Sequence, residues 1–154
     1  MAEQLTTREV FGFLRPDQLH TISDAADIVR FAAGDTIYQR GAKADHFYAV
    51  LSGQVTLRLP GKEGVSINID ELTRGAMFGS CICFNRDSYA LTAQCTEDAE
   101  LLKISGSVLD RLMEEDRTMG YALQSRISEM YYGRYIETMK KLQAIVMNIP
   151  IESN

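Results

Sequence analysis

Residues 55–70 read VTLRLPGKEGVSINID, and this stretch decides the fold class. Apolar side chains alternate with polar ones before and after residues 60–64, as they do in half-buried β-strands. One proline and two glycines stand between the two alternating runs, and both residue types favour turns. The stretch therefore predicts an antiparallel β-hairpin.

The region around this hairpin is rich in glycine. Seven of the eleven glycines fall between residues 28 and 104, close enough together to separate strands of about five to eight residues. These are Gly34, Gly41, Gly53, Gly61, Gly64, Gly75 and Gly79. Many short strands with glycine turns favour an antiparallel roll or barrel over a parallel sheet. We therefore predict a mainly β fold with flanking helices, in which residues 28–104 form the β-roll.

Helical periodicity is expected on both sides of the roll, in an N-terminal segment over residues 1–27 and in C-terminal helices over residues 107–147. Residues 119–146 contain no proline, so they predict one long helix, which Pro150 ends. Large side chains recur along it with three- and four-residue spacing, which is typical of a coiled coil. They are Tyr132, Tyr135, Met139, Leu142 and Val146. Residues 1–154 are interpreted as one domain.

Composition limits the location and the partners. The 154 residues include 16 Lys and Arg against 21 Asp and Glu, and the net charge of −5 argues against nucleic acid as a partner. No apolar run approaches the roughly 20 residues that a membrane helix needs. Residues 1–9 are polar, so no secretory signal is predicted. Three cysteines cannot all pair internally, which is typical of a reducing cytosol. We therefore predict a cytoplasmic protein with no membrane partner.

Several stretches resemble the cyclic-nucleotide-binding domain, the sensor half of catabolite-activator-type bacterial regulators, which also occurs in cyclic-nucleotide-gated channels and in the regulatory subunit of a kinase. Residues 31–41 read FAAGDTIYQRG and residues 44–55 read ADHFYAVLSGQV, with glycines where that family turns tightly. Residues 72–79, LTRGAMFG, resemble the approach to its phosphate-binding cassette, and residues 100–104, ELLKI, resemble the strand that leads back to the helices. The resemblance covers roughly residues 10–142. It implies an antiparallel β-roll, or jelly roll, followed by a long C-terminal helix.

The cassette of that family reads Phe-Gly-Glu, then a short helix, then Arg-Ala or Arg-Ser. The glutamate accepts a hydrogen bond from the ribose 2′-OH, and the arginine contacts the cyclic phosphate. Phe78 and Gly79 match this pattern, but Ser80 stands for the glutamate and Tyr89 for the arginine, with Ala90 as the small residue that follows. Losing both contacts would weaken a micromolar site to roughly 0.1–1 mM or beyond. The predicted pocket is therefore empty or holds a small anionic ligand other than ordinary cAMP.

Three alternatives stay open for the cassette, residues 78–92. In the first, Arg86 and the backbone amides retain a cyclic nucleotide, and the chain is a functional cAMP- or cGMP-binding protein. In the second, Cys81 or Cys83 gives the site a redox or haem role, although these cysteines and Cys95 are more simply small buried hydrophobes. In the third, Tyr89 fills the pocket of a ligand-free structural or adaptor dimer.

The long helix contributes the last two candidate ligand-binding residues. The resemblance places Arg134 and Tyr135 near the purine of a bound nucleotide, although a seam of Tyr and Met residues in a homodimer is the preferred interpretation. The sequence shows no catalytic constellation, no metal-ligand spacing and no Walker-type loop, so we predict neither an enzyme nor a cofactor.

Only twelve residues follow Leu142, too few for the helix-turn-helix module that follows this helix in catabolite-activator-type regulators, and direct DNA binding is not expected. The predicted function is a small regulatory or sensor module that signals through its C-terminal helices or a protein partner.

Overall fold

The computed structural model describes residues 10–79 and 86–148. The helices and strands of these residues follow one another in the order α1 (Pro16–Ala25), β1 (Asp27–Phe31), β2 (Thr36–Tyr38), β3 (His46–Ser52), β4 (Val55–Pro60), β5 (Ser66–Leu72), β6 (Met77–Phe78), β7 (Thr92–Cys95), β8 (Ala99–Ser105), α2 (Gly106–Glu115) and α3 (Arg117–Asn148).

The strands form two four-stranded sheets, in the orders β1-β8-β3-β6 and β2-β7-β4-β5, and all of their ladders are antiparallel. The hairpin predicted from residues 55–70 is β4 and β5, whose register runs from Val55 opposite Leu72 to Pro60 opposite Ser66. A short 3₁₀ turn, Lys62–Gly64, joins the two strands. The predicted antiparallel roll with a long C-terminal helix is confirmed.

Strand β3 is buried on both faces, which explains its continuous apolar sequence. Its residues Tyr48 and Val50 face the core between the two sheets. The alternate residues Phe47, Ala49 and Leu51 belong to a second core, between this sheet and the helices. One strand therefore joins the interior of the roll to the helical layer.

The helical layer is fixed where α2 meets α3. The Asp116 side chain accepts a hydrogen bond from the backbone N–H of Met119 at 3.1 Å, which caps the start of α3. The amide of the buried Gln18, on α1, donates to the same carboxylate at 3.2 Å. These two bonds, that from Met119 first, lower the pKa of Asp116. The contact joins three helices around one carboxylate.

Helix α3 is packed along its first half and exposed along its second. Met119, Leu123 and Ile127 are almost fully buried in the helical core. In contrast, Tyr132 and Met139 are 67% and 48% exposed. Within the described ranges, no helix combines the length and the apolar character that crossing a membrane requires.

Candidate functional site

Tyr89 lies between β6 and β7, in the cassette region that the sequence singled out. Its backbone N–H donates to the carbonyl of Ala42 at 3.0 Å, and its own carbonyl accepts from the N–H of Gly41 at 2.8 Å. The bridge between Lys43 and Ser88 continues this pairing. The segment before β7 is thus held against the loop that leads into β3, and only 4% of Tyr89 is exposed.

The Tyr89 side chain is fixed at both its hydroxyl and its ring. The hydroxyl donates to the carbonyl of His46 at 2.7 Å and accepts the N–H of the same residue at 3.1 Å. The ring stacks on that of Tyr38, with centroids 3.6 Å apart and planes inclined by 11°. A phenol therefore occupies the position at which the resemblance expects an arginine.

The stacked pair belongs to a larger aromatic cluster inside the roll. Tyr48 and Phe78 stack with centroids 5.1 Å apart, and Tyr38 lies 6.1 Å from each of them. Burial raises the pKa of Tyr48 to about 12, with smaller contributions from Tyr89 and the Asp45 carboxylate. Tyr48 is thus neutral at physiological pH, and its ring adds no charge to the cluster.

Phe78 and Gly79, the two residues that match the cassette pattern, lie at this cluster. Phe78 pairs with Tyr48 in the β3–β6 register and is 1% exposed. Gly79 has a φ of +73°, and a Cβ atom there would lie 2.9 Å from the carbonyl oxygen of His46 and 3.5 Å from Cε1 of Tyr89. Glycine is therefore required at this position. Ala90, in contrast, is exposed.

Two predicted site residues, Ser80 and Cys81, lie outside the described residues, as does Cys83. The remaining cysteine, Cys95, is buried on β7, and burial raises the pKa of its thiol. A protonated buried thiol is a poor nucleophile and metal ligand. Among residues 10–79 and 86–148, no group of three or more His, Cys, Asp or Glu side chains is arranged to hold a metal ion.

Arg86 is exposed and lines a groove of about 440 Å³ at the start of α2. The groove also contains Lys43, Asp45, Ser105 and Asp110, and its lining does not include Tyr89. The side chain proposed to replace the family arginine is thus placed toward the first turn of α2, among carboxylates.

Arg134 and Tyr135 have different surroundings. The Nε of Arg134 donates to Oδ2 of Asp70 at 2.9 Å, and its guanidinium lies 5.2 Å from the ring centroid of Tyr131. Only 11% of the Arg134 side chain is exposed, so this pair anchors α3 to β5. Tyr135 is 57% exposed and lies beside Tyr132, with ring centroids 6.4 Å apart.

Tyr38 and His46 are the site residues that sequence reasoning missed. Both lie within the stretches that carry the family resemblance. His46 binds Tyr89 through its backbone, which has no sequence signature, and Tyr38 has its stacking partner 51 positions away. Neither contact could be derived from local spacing.

Comparison with known proteins identifies the family to which this arrangement belongs. Residues 28–116 match the cyclic nucleotide-binding domain. The chain belongs to that family. The match begins within β1 and extends to the junction of α2 and α3, so it contains both sheets of the roll.

Individual relatives share this domain within much longer chains. The protein is 29% identical over 111 residues to lysophospholipase nte1 of Aspergillus oryzae, which covers 72% of this chain and 7% of the relative. It is 30% identical over 142 residues to the cGMP-dependent protein kinase of Plasmodium berghei, which covers 88% of this chain and 16% of the kinase. This cyclic nucleotide-binding domain therefore spans less than a fifth of the length of either relative.

A solved structure shares the fold. The c-di-GMP responsive global regulator CLP of Xanthomonas campestris superimposes with a TM-score of 0.79 at 15% sequence identity. The superposition covers 88% of this chain and 66% of the regulator. At that identity, the likeness concerns the arrangement of strands and helices.

Proposed function

We propose that this cyclic nucleotide-binding domain is a regulatory module that binds cAMP and cGMP only weakly and that acts through α3. The observation that carries the proposal is the Tyr89 side chain, buried and hydrogen-bonded in the position of the family arginine. The proposal keeps the regulatory character of the family and changes what the pocket holds.

The hydroxyl of Tyr89 gives an electrostatic reason for weak binding of a cyclic nucleotide. A cyclic phosphate carries one negative charge, and a guanidinium would meet it with charge-assisted hydrogen bonds. A tyrosine hydroxyl has a single proton to donate, and that of Tyr89 is already given to the carbonyl of His46. A phosphate at this position would have to break that bond and would gain no positive charge in return.

Displacing the ring is also costly. Only 4% of Tyr89 is exposed, and its ring stacks on that of Tyr38. Exposing a buried aromatic side chain costs about 1.5–3 kcal/mol, and breaking a stacked pair adds about 0.5–1.5 kcal/mol. A nucleotide that enters beside Tyr89 must offset these terms before it gains affinity.

Calorimetric titration of the purified chain with cAMP and with cGMP tests the proposal. We expect no binding with a Kd below about 0.1 mM, because the two charge-assisted contacts of the family are missing. The variant Arg86→Ala, titrated in parallel, is expected to behave like the unmodified chain. Micromolar affinity that Arg86→Ala abolishes would overturn the proposal and establish the functional cAMP- or cGMP-binding alternative.

A ligand-free structural or adaptor role is the second candidate, and the separation of 3.6 Å between the rings of Tyr38 and Tyr89 favours it. That distance leaves no space for a purine between the two rings. A thermal-shift panel of cyclic mononucleotides, c-di-GMP and inorganic phosphate discriminates between the two roles. Stabilisation by one anion supports a sensor of that anion, and an unchanged Tm throughout supports the adaptor.

The partner that we propose for α3 is a second copy of the chain. The seam positions Tyr132, Tyr135, Met139, Leu142 and Val146 follow a three- and four-residue spacing, and each is between 44% and 67% exposed. The same spacing continues back through Ser128 and Ser125 to Tyr121, and these residues line an open apolar notch on α3. A largely exposed stripe of this kind fits a coiled-coil pair of helices.

The double variant Met139→Glu, Leu142→Glu is expected to weaken self-association at least a hundredfold, because it places carboxylates in the seam of both helices. Sedimentation velocity over a range of concentrations measures the change. Lys140→Gln, Ala144→Glu is the matched control, since it alters net charge by the same amount at exposed positions beside the seam. If both variants associate alike, or if the unmodified chain is monomeric, the proposed seam is wrong.

The cytoplasmic location stays a prediction, based on the cysteine content.

A further inference from the structure

His46 connects the aromatic cluster to the start of α2. In the β3–β8 ladder it lies opposite Ser105, the residue that immediately precedes the helix. The carbonyl of the preceding residue, Asp45, accepts the N–H of Gly106, the first residue of α2, at 2.9 Å. The same short piece of backbone, Asp45 and His46, therefore bonds to α2 on one side and to the Tyr89 hydroxyl on the other.

This link adds a backbone hydrogen bond to the apolar packing that holds the first turn of α2. Ser105 stands at the N-cap of the helix but makes no side-chain capping bond to the backbone. Its hydroxyl lies 3.0 Å from that of Ser107, within the same turn. The apolar side chains of the helix begin at its third residue, because Val108 packs against the helical core and Leu109 is buried in it. The Asp45 carbonyl therefore fixes the first residue of the helix, and the apolar packing fixes the residues that follow.

Both described ends of the cassette meet at His46. Gly79 packs so closely against the His46 carbonyl that a Cβ atom would lie 2.9 Å from it. At the other end, the Tyr89 hydroxyl bonds to both backbone groups of His46, accepting from its N–H and donating to its carbonyl. A change at the cassette thus reaches the α2 entry through two hydrogen-bonded residues.

We infer that Tyr89 is a positioning residue that holds the first turn of α2 in one packing without any ligand. The inference rests on the proposed function, because a domain that does not fill its cassette with a nucleotide needs another group to fix the helices. A side chain can shift an equilibrium between two packings of α2 and α3 only if its contacts are more favourable in one packing than in the other. The two bonds from Tyr89 to His46 supply such a difference from within the chain.

Amide hydrogen exchange of the variant Tyr89→Phe, measured by NMR without nucleotide, tests this inference. Phenylalanine keeps the ring stacked on Tyr38 and removes only the hydroxyl. We expect the amide of Gly106, which donates to the Asp45 carbonyl, to exchange at least tenfold faster, because opening of the first turn of α2 becomes more populated. The His46 amide will also exchange faster because it loses its acceptor, the Tyr89 hydroxyl. That change therefore does not show whether Tyr89 positions α2.

Tyr48→Phe is the matched control. Its ring belongs to the same aromatic cluster, but its hydroxyl is not bonded to His46. We expect this variant to leave exchange in the first turn of α2 unchanged. Leu101 and Leu102 in β8 serve as an internal reference, since faster exchange there would report a loss of global stability rather than a local release.

The outcomes separate this inference from the proposed function. Unchanged exchange at α2 in Tyr89→Phe, with faster exchange at His46 alone, would overturn the positioning role while leaving the nucleotide titration to decide the function. Equal acceleration at α2 and at β8 would also overturn it. Tight cAMP binding by the unmodified chain would contradict the proposed function, whereas the exchange difference between the two tyrosine variants would still stand.

Discussion

The double variant Ser80→Glu, Tyr89→Arg is expected to bind cAMP at least roughly fiftyfold more tightly than the unmodified chain. The arginine would supply a charge-assisted contact to the cyclic phosphate, worth about 1.5–3 kcal/mol, and the glutamate would add about 1 kcal/mol at the ribose. At about 1.4 kcal/mol per decade, the sum of about 2.5–4 kcal/mol corresponds to a roughly 60- to 700-fold change in Kd. Calorimetry with cAMP measures it directly.

Two single variants show which property of Tyr89 limits binding. Tyr89→Leu removes the ring that stacks on Tyr38 without adding charge. Tyr89→Arg adds the charge without the glutamate. We expect Tyr89→Leu to bind as weakly as the unmodified chain and Tyr89→Arg to recover most of the gain.

All of these variants lose the hydrogen bonds between residue 89 and His46. A cooperative unfolding transition, monitored by circular dichroism, must therefore first show that each variant is folded. A folded double variant that binds no better than the unmodified chain would contradict the electrostatic account. Strong binding by Tyr89→Leu would mean that the ring blocks the pocket sterically.

The fold could be predicted because its signals are local. Alternation over residues 55–70 specified both strands of the β4–β5 hairpin, and the absence of proline over residues 119–146 specified most of α3. In each case the pattern repeats within a single element, so neighbouring residues in the sequence carry the information.

The site was less predictable because its contacts are long-range. The sequence alone showed that position 89 lacks the arginine of the family. The partner of the Tyr89 hydroxyl, His46, lies 43 residues away and could not be found from the sequence. The partner of Arg134 in the structure, Asp70, lies 64 residues away. The spacing of residues along one helix cannot show which strand that helix will meet.

The two faces of β3 suggest why one tyrosine can influence a distant helix. Tyr48 and Val50 pack inside the roll, while Phe47 and Ala49 pack under α2 and α3. A packed interior transmits small displacements because it has little free volume to absorb them. The hydrogen bonds of Tyr89 act at the first residue of this strand, where the roll and the helical layer meet.

The substitution Gly53→Ala is expected to have the largest effect on stability. Gly53 connects β3 to β4 with a φ of +85°, and a Cβ atom there would lie 2.2 Å from the carbonyl oxygen of Asp98 and 2.8 Å from Cα of Ala99. Both are backbone atoms at the start of β8, so no side-chain rotation relieves the clash. The backbone at residue 53 must move away from that of Asp98 and Ala99. This movement would weaken the nearby hydrogen bond from the N–H of Thr96 to the carbonyl of Gln54, at 3.1 Å.

Gly41→Ala is the control that isolates this steric cost. Gly41 has a similar φ of +88°, but nothing lies within 4 Å of the added Cβ. The unfavourable backbone conformation alone costs about 1–2 kcal/mol, which lowers Tm by roughly 2–8 °C in a domain of this size. For Gly53→Ala we expect a loss of more than about 4 kcal/mol, a large part of the 5–15 kcal/mol that stabilises a typical domain. Thermal unfolding monitored by circular dichroism compares the two. If Gly53→Ala unfolds within a few degrees of Gly41→Ala, the β3–β4 turn yields without strain, and the close approach to Asp98 does not constrain the fold.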